Sequence, residues 1–279
     1  MDSSKYPLYF EIKPKGTFSF GLRELKEYHE LFYFFTWRDI KVKYKQTVLG
    51  LFWVVLQPLL LMAIFTLFLS RTIPTDTMGM VYPVFVFSGL VLWLVFSSGL
   101  SNASQSMVAN ASIIKKIYFP RLIIPASAIL VAVFDFLMTF VIFIIILVYY
   151  EASVDWLSAL WMWPLGLLIT VLATLGSGCW LAALNIKYRD FRYVIPFLVQ
   201  ILLFLSPVIY PSSIIKNDLL RGLLCINPMH GALTIFRAPL SSVPVDGYQL
   251  GISLGSTVCM LIIGLVYFRK TEYYFADLA

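Results

Sequence analysis

The spacing of charges constrains this chain more than any motif does. Uncharged runs occupy residues 46–70, 77–114, 156–186, 193–215 and 247–268, and a sixth, 122–150, is interrupted only by Asp135. A helix needs roughly 20 apolar residues to cross a bilayer, so each run is long enough for one crossing. The expected fold is therefore an all-α integral membrane protein. Six transmembrane helices are predicted at about 48–70, 80–103, 122–150, 156–184, 193–210 and 248–268. Composition agrees, because a 279-residue chain that is 60% hydrophobic and 13% charged has more apolar surface than one soluble core would hide. The first 20 residues mix Asp2, Glu11, lysines and prolines without a continuous apolar stretch, which predicts no removable signal peptide.

Six spans place both termini on one side, and positively charged loops resist translocation. With the termini inside, seventeen of the 21 Lys and Arg residues fall inside and only Arg71, Lys216, Arg221 and Arg237 outside. The N-terminus is predicted to be cytoplasmic. The net charge of +6 then reflects membrane orientation and anionic headgroups, and no nucleic-acid partner is expected. Cys179, Cys225 and Cys259 have no disulfide or metal-ligand spacing.

The segments between spans carry pattern too. Over residues 22–45, Tyr33, Trp37, Ile40 and Tyr44 share one arc of a helical wheel and Arg38, Lys41 and Lys45 the adjacent one. Asp39 and Lys43 fall on the far side as an i,i+4 pair. This predicts an amphipathic helix in the cytoplasmic interface, either a plain anchor or a basic docking face. The loop SQSMVANASIIKKIYFPR, residues 104–121, is amphipathic at Ile113, Ile114, Ile117 and Tyr118, and Pro120 can stop its helix. It reads as a docking handle or a plain turn. The outer segment 211–247 repeats Ile214, Ile215, Leu219, Leu220, Leu223 and Leu224 at helical spacing, with a second apolar patch after Asn227-Pro228-Met229. Two short helices dipping into the outer leaflet fit it better than a solvated loop.

Polar residues inside spans are the ones lipid rejects. Trp53, Gln57, Leu60, Ile64 and Phe68 line up on the first span, and Tyr193, Phe197, Gln200, Phe204 and Pro207 on the fifth. Rings interleaved with one neutral amide suit a chain of hydroxylated sugar rings, although the same residues also serve helix packing. Asp135 has no basic residue within another span to pair with, so it is protonated or faces a watery cavity, and is a candidate for proton-driven transport. Small residues at Gly176, Ser177, Gly178 and Ala182, and the pair Gly251 and Gly255, allow close helix approach. The chain has no G-x-x-x-x-G-K-[ST] loop or HExxH motif, and its two histidines, His29 and His230, are predicted on opposite sides of the membrane. Catalysis within this chain is not expected, so no catalytic or metal-binding residue is assigned and a membrane-embedded enzyme is the weaker alternative.

The stretches WRDIKVKYKQTVLGLFWVVLQPLL (37–60), NASIIKKIYFPR (110–121), LNIKYRDFRYVIPFLVQ with SPVIYP (184–211) and INPMH (226–230) resemble, in order, the type-2 ABC permeases that export bacterial surface polysaccharides such as O-antigen. The resemblance implies a homodimer of six-helix subunits in the bacterial inner membrane, completed by two copies of a separate ABC ATPase that binds the ATP and Mg, with no cofactor in this chain. It divides the chain into a cytoplasmic segment 1–32, a transmembrane domain 33–271 and a cytoplasmic tail 272–279. It also implies a polysaccharide on a lipid pyrophosphate as substrate, met at the entrance by Arg38, Lys41 and Lys45. Asn110, Ile113, Lys115, Lys116 and Tyr118 match the helix that couples to the ATPase. Phe52, Trp53, Gln57, Tyr193, Phe197, Gln200 and Phe204 match the channel wall, and Asn227, Pro228 and Met229 the external gate. Permeases for capsule, teichoic acid, drugs or small lipids are the nearest alternatives.

Overall fold

In lipid every backbone N–H and C=O must be satisfied within the protein, and a helix does so within its own segment. The computed structural model describes residues 27–45, 50–70, 77–188, 190–215, 217–272 and 275, and every regular element among them is helical. The predicted N-terminal segment up to residue 26, residues 48 and 49 of the first predicted span, the counted charges Arg71, Arg189 and Lys216, and the tail beyond Glu272 except Phe275 lie outside the described residues.

The helices are α1 (His29–Lys45), α2 (Gly50–Leu69), α3 (Tyr82–Ala109), α4 (Ala111–Ile114), α5 (Ile123–Tyr149), α6 (Trp156–Lys187), α7 (Phe191–Leu205), α8 (Asp218–Cys225), α9 (Pro228–Arg237) and α10 (Gly247–Glu272). Five of them, α2, α3, α5, α6 and α10, are long and apolar enough to cross a membrane. The fifth predicted span is shorter than its uncharged run, since α7 has 15 residues, about 22 Å at 1.5 Å per residue. It ends because Pro207 pushes Ser206 into extended backbone, with ψ 141°. Over 211–247 the two expected short helices form as α8 and α9, bent by 85° at the Ile226–Asn227 break.

The hub is α3, whose side chains are buried along most of its length and which packs against α2, α5, α6, α7 and α9. Lipid tails are as apolar as a protein core, so shape and backbone approach hold such helices together more than hydrophobicity does. The ring cluster Phe87, Phe136, Phe140, Phe143, Trp163 and Phe236 joins α3, α5, α6 and α9, with Phe143 5.5 Å from Phe236 and 5.8 Å from Trp163. Trp163 also donates its indole N–H to the Phe236 carbonyl at 3.1 Å.

Close approach is confined to particular glycines. A Cβ on Gly176 would meet the Leu261 backbone at 2.6 Å, and one on Gly264 would collide with the Gly176 carbonyl, so α6 and α10 touch backbone to backbone. A Cβ on Gly178 would stand 2.9 Å from the Ala103 methyl of α3. Gly251 and Gly255, expected to do the same, face open space. Their spacing matches a contact motif, but the face that α10 turns to α6 is the one with Thr257 and Gly264.

Candidate functional site: a basic entrance, two exposed faces and an outer hairpin

At the end of the bundle where α1, α4 and the C-terminal end of α10 meet, α1 does not lie apart on a surface. Phe35, 3% exposed, packs on Phe119 with ring centroids 5.7 Å apart, and nine residues later Tyr44 packs on Phe134 at 5.8 Å. Helix α1 therefore runs along α5 as far as its middle. This divides the predicted aromatic arc, whose Tyr44 packs while its other end is open. Tyr33 and Trp37 are 67% and 45% exposed, while Lys43, expected on the far side with Asp39, points at α5. The Asp39 carboxylate pairs with Arg38 at 2.8 Å. Aromatic residues surround α1 on several sides, so periodicity alone did not say which side packs.

Asp135 is corrected by the same contact. Its carboxylate forms an ion pair with Lys43 and accepts a hydrogen bond from the Tyr44 hydroxyl. The partner is absent from every span because it comes from α1. Beside the pair a chamber of about 330 Å³ opens between α1, α2, α3 and α5, and Trp53, Gln57, Ser98 and Thr139 share its lining with Lys43 and Asp135.

The three expected entrance residues do meet. Arg38, Lys41 and Lys45, with Phe34, Trp37 and Val42, line a concavity of about 350 Å³ along α1. The cations are held by rings, Lys41 standing 5.3 Å over Trp37 and Arg38 4.7 Å over Phe35. Arg38 also donates to the Asn110 side-chain oxygen at 2.9 Å, and Asn110 donates to the Ser106 carbonyl at 2.8 Å. Asn110 is thus a buried joint between α1 and α3 and presents no docking surface of its own.

The expected coupling helix is one turn, Ala111–Ile114, with Ile114 buried and Ile113 packed beside it. The predicted amphipathic face does not continue as helix, because the chain opens into a turn ahead of Pro120. Lys115 and Lys116 are exposed, and Ile117 and Tyr118 protrude at 61% and 78% exposure. Of the five residues named for coupling, Lys115, Lys116 and Tyr118 reach the surface.

The two aromatic and amide faces are largely exposed. On α2, Phe52, Trp53, Gln57, Leu60, Ile64 and Phe68 are exposed; on α7, Tyr193, Phe197, Gln200 and Phe204 are, and Ile195 is the buried side chain. Pro207, assigned to the second face, is buried beyond the helix end. Both helices lean on α3 through their opposite sides.

At the far end the α8–α9 hairpin is bolted down on one side. The Asn227 side chain caps α9 by accepting the Met229 N–H at 3.0 Å and donates to the Ser206 hydroxyl at 2.8 Å. Met229 is fully buried. The Ser253 hydroxyl accepts from the Gly231 N–H at 2.7 Å and donates to the Asn227 carbonyl at 2.9 Å, stapling α9 to α10.

Arg237 was counted above only as an outer charge, yet it is 2% exposed. It donates to the carbonyls of Phe85 (3.0 Å), Pro207 (2.7 Å) and Val208 (2.7 Å) and to the Ser88 hydroxyl (3.1 Å). Its guanidinium lies 3.7 Å from the centroid of the Phe85 ring. Gly89 makes room for it, since a Cβ there would also stand 2.7 Å from the Val208 carbonyl. The available signal was its place at the end of the apolar run ALTIF.

Five long apolar helices, with a bent pair at one end and a basic cleft at the other, define a multi-pass helical membrane protein. The sequence model of the ABC-2 type transporter family matches residues 30–240, and the chain belongs to that family. Among its relatives is an O-antigen export system permease protein RfbA of Klebsiella pneumoniae, 29% identical over 245 residues, 86% of this chain and 92% of the relative. The RfbA of Myxococcus xanthus is 28% identical over 222 residues, 78% of this chain and 82% of that protein. The polysialic acid transport protein KpsM of Escherichia coli is 25% identical over 248 residues, 84% and 91% of the two chains.

Proposed function

We propose that this chain forms half of a channel that exports a lipid-linked surface polysaccharide, O-antigen in kind, outward through a bacterial inner membrane. Both termini then face the cytoplasm, and two copies of a separate ATPase bind and hydrolyse the ATP. The names of the relatives support the cargo. The observation that carries the reading is the pair of exposed faces on α2 and α7, which present rings, aliphatic groups and the amides of Gln57 and Gln200 and no charge. Such faces give a sliding sugar chain stacking surfaces and exchangeable hydrogen bonds without a deep binding well.

In this scheme the α1 concavity with Arg38, Lys41 and Lys45 receives the lipid pyrophosphate, and Ile117 and Tyr118 dock the ATPase. A proton-driven mechanism through Asp135 loses its motive, because that carboxylate is already engaged by Lys43 and Tyr44.

The test replaces Trp53, Gln57, Gln200 and Phe204 with alanine, singly and together, and measures surface polymer alongside recovery of the permease with its ATPase. Loss of polymer from an assembled complex is expected. Misassembly would assign these residues to packing, and normal polymer from the quadruple variant would refute the channel assignment.

A further inference from the structure

A second polar cavity, of about 220 Å³, lies at the far end between the chain before α8, the outer hairpin and the start of α10. Ser212, Ser213, Arg221, His230, Asp246 and Gln249 line it. His230 is 3% exposed, and its Nδ1 is buried with no hydrogen-bond partner among the described residues. The same holds for Nε of Arg221, whose Nη2 donates to the Ile215 carbonyl at 3.1 Å. Buried polar atoms left unsatisfied are rare because each forfeits its hydration, and two on one cavity mark a place built to be completed.

Charge and size say by what. Asp246 is the cavity's carboxylate, and it is committed to the start of α10, accepting the Tyr248 N–H at 3.0 Å. Arg237 also borders the cavity, and among the described residues no carboxylate pairs with its guanidinium. Two guanidinium groups against one carboxylate leave the described lining net positive, and the Arg221 Nε, the His230 ring and the serine hydroxyls supply its polar contacts. Its volume is below the roughly 300–1,000 Å³ of drug-sized sites, so it admits a single small group and no oligosaccharide. We infer that this pocket binds a phosphate-type oxyanion, held by Arg221 and His230. The group has two sources, free phosphate or the headgroup of an anionic lipid. The second is within reach because α8, which carries Arg221, exposes Leu219, Leu220 and Leu223 at 71%, 50% and 55%. The inference concerns an anion at the far end and does not depend on the cargo being a polysaccharide.

The chain has two histidines, so ring nitrogen resonances of ¹⁵N-histidine-labelled protein separate His230 from His29, which begins α1 and serves as internal control. The full-length protein in phosphatidylcholine nanodiscs is titrated with inorganic phosphate against sodium chloride of equal ionic strength. Saturable movement of the His230 signals alone is expected, with apparent affinity about tenfold weaker in Arg221→Gln, as the loss of one charge-assisted hydrogen bond implies. In phosphatidylglycerol nanodiscs, signals already at the bound position and insensitive to phosphate identify a lipid headgroup as the source. An unchanged titration there identifies free phosphate. No saturable shift in either lipid, an equal shift in Arg221→Gln, or a shift with glucose but not phosphate would overturn the inference. Polymer export is not read in this experiment, so its outcome is separate from that of the channel proposal.

Discussion

Replacing Arg237 with methionine keeps an unbranched apolar stem out to about the position of Nε and removes the guanidinium with every donor. The Phe85 carbonyl retains the Ser88 hydroxyl at 2.7 Å, but those of Pro207 and Val208 lose their side-chain donor. Each orphaned buried carbonyl costs about 1–3 kcal/mol, and the lost contact with the Phe85 ring about 2 more. Against this, methionine relieves the burial of a guanidinium without a counter-charge, a recovery of several kcal/mol that offsets part of the loss. The net expectation is about 3 kcal/mol of destabilisation, or roughly 6–12 °C in Tm for a chain of this size. Thermal unfolding in detergent followed by tryptophan emission is a direct assay, because Trp163 donates to the carbonyl next to Arg237. Arg237→Lys should fall nearer to methionine than to wild type, since one ammonium cannot span the three carbonyls that a planar fork reaches. Gly89→Ala should lower Tm as well, by crowding the same guanidinium while leaving its charge in place. A Tm for Arg237→Met within about 1 °C of wild type, well inside the shift expected from these terms, would refute the reasoning.

Two further outcomes follow from the packing. Lys43→Met and Asp135→Asn should each destabilise the protein and the double variant should lose less than their sum, a thermal-stability cycle giving a coupling of about 0.5–3 kcal/mol; strict additivity would show that the ion pair does not form. Gly264→Val should abolish monodisperse protein on size exclusion, because its Cβ meets the Gly176 carbonyl and two backbones have nowhere to move, whereas Gly255→Val, in open space, should be tolerated.

How much was legible depended on whether the cause was local. Uncharged runs disclosed the crossing helices because the bilayer imposes a length on each, and the Ser206-Pro207 pair could have disclosed the early end of α7. The two outer helices were visible in leucine spacing interrupted at Asn227-Pro228. The partner of Asp135 was not visible, since Lys43 lies 92 residues away on a helix outside the spans. Arg237 looks like a loop charge because sequence counts charges by segment, while its burial depends on Phe85 arriving from α3 and Val208 from the turn after α7. Asn110 was read as surface for a related reason: what takes it out of solvent is Arg38, from α1. The exposed faces of α2 and α7 follow from helical periodicity, which says nothing of what lies against them.

The α8–α9 hairpin has two leaves of unequal attachment. Helix α9 is riveted through Arg237, the Phe236 carbonyl and Ser253, whereas α8 shows exposed leucines on its free side and meets α9 at a sharp elbow. Strain applied at this end of the molecule would fall first on α8, a lever of eight residues that meets the rest of the bundle through α9 and α10.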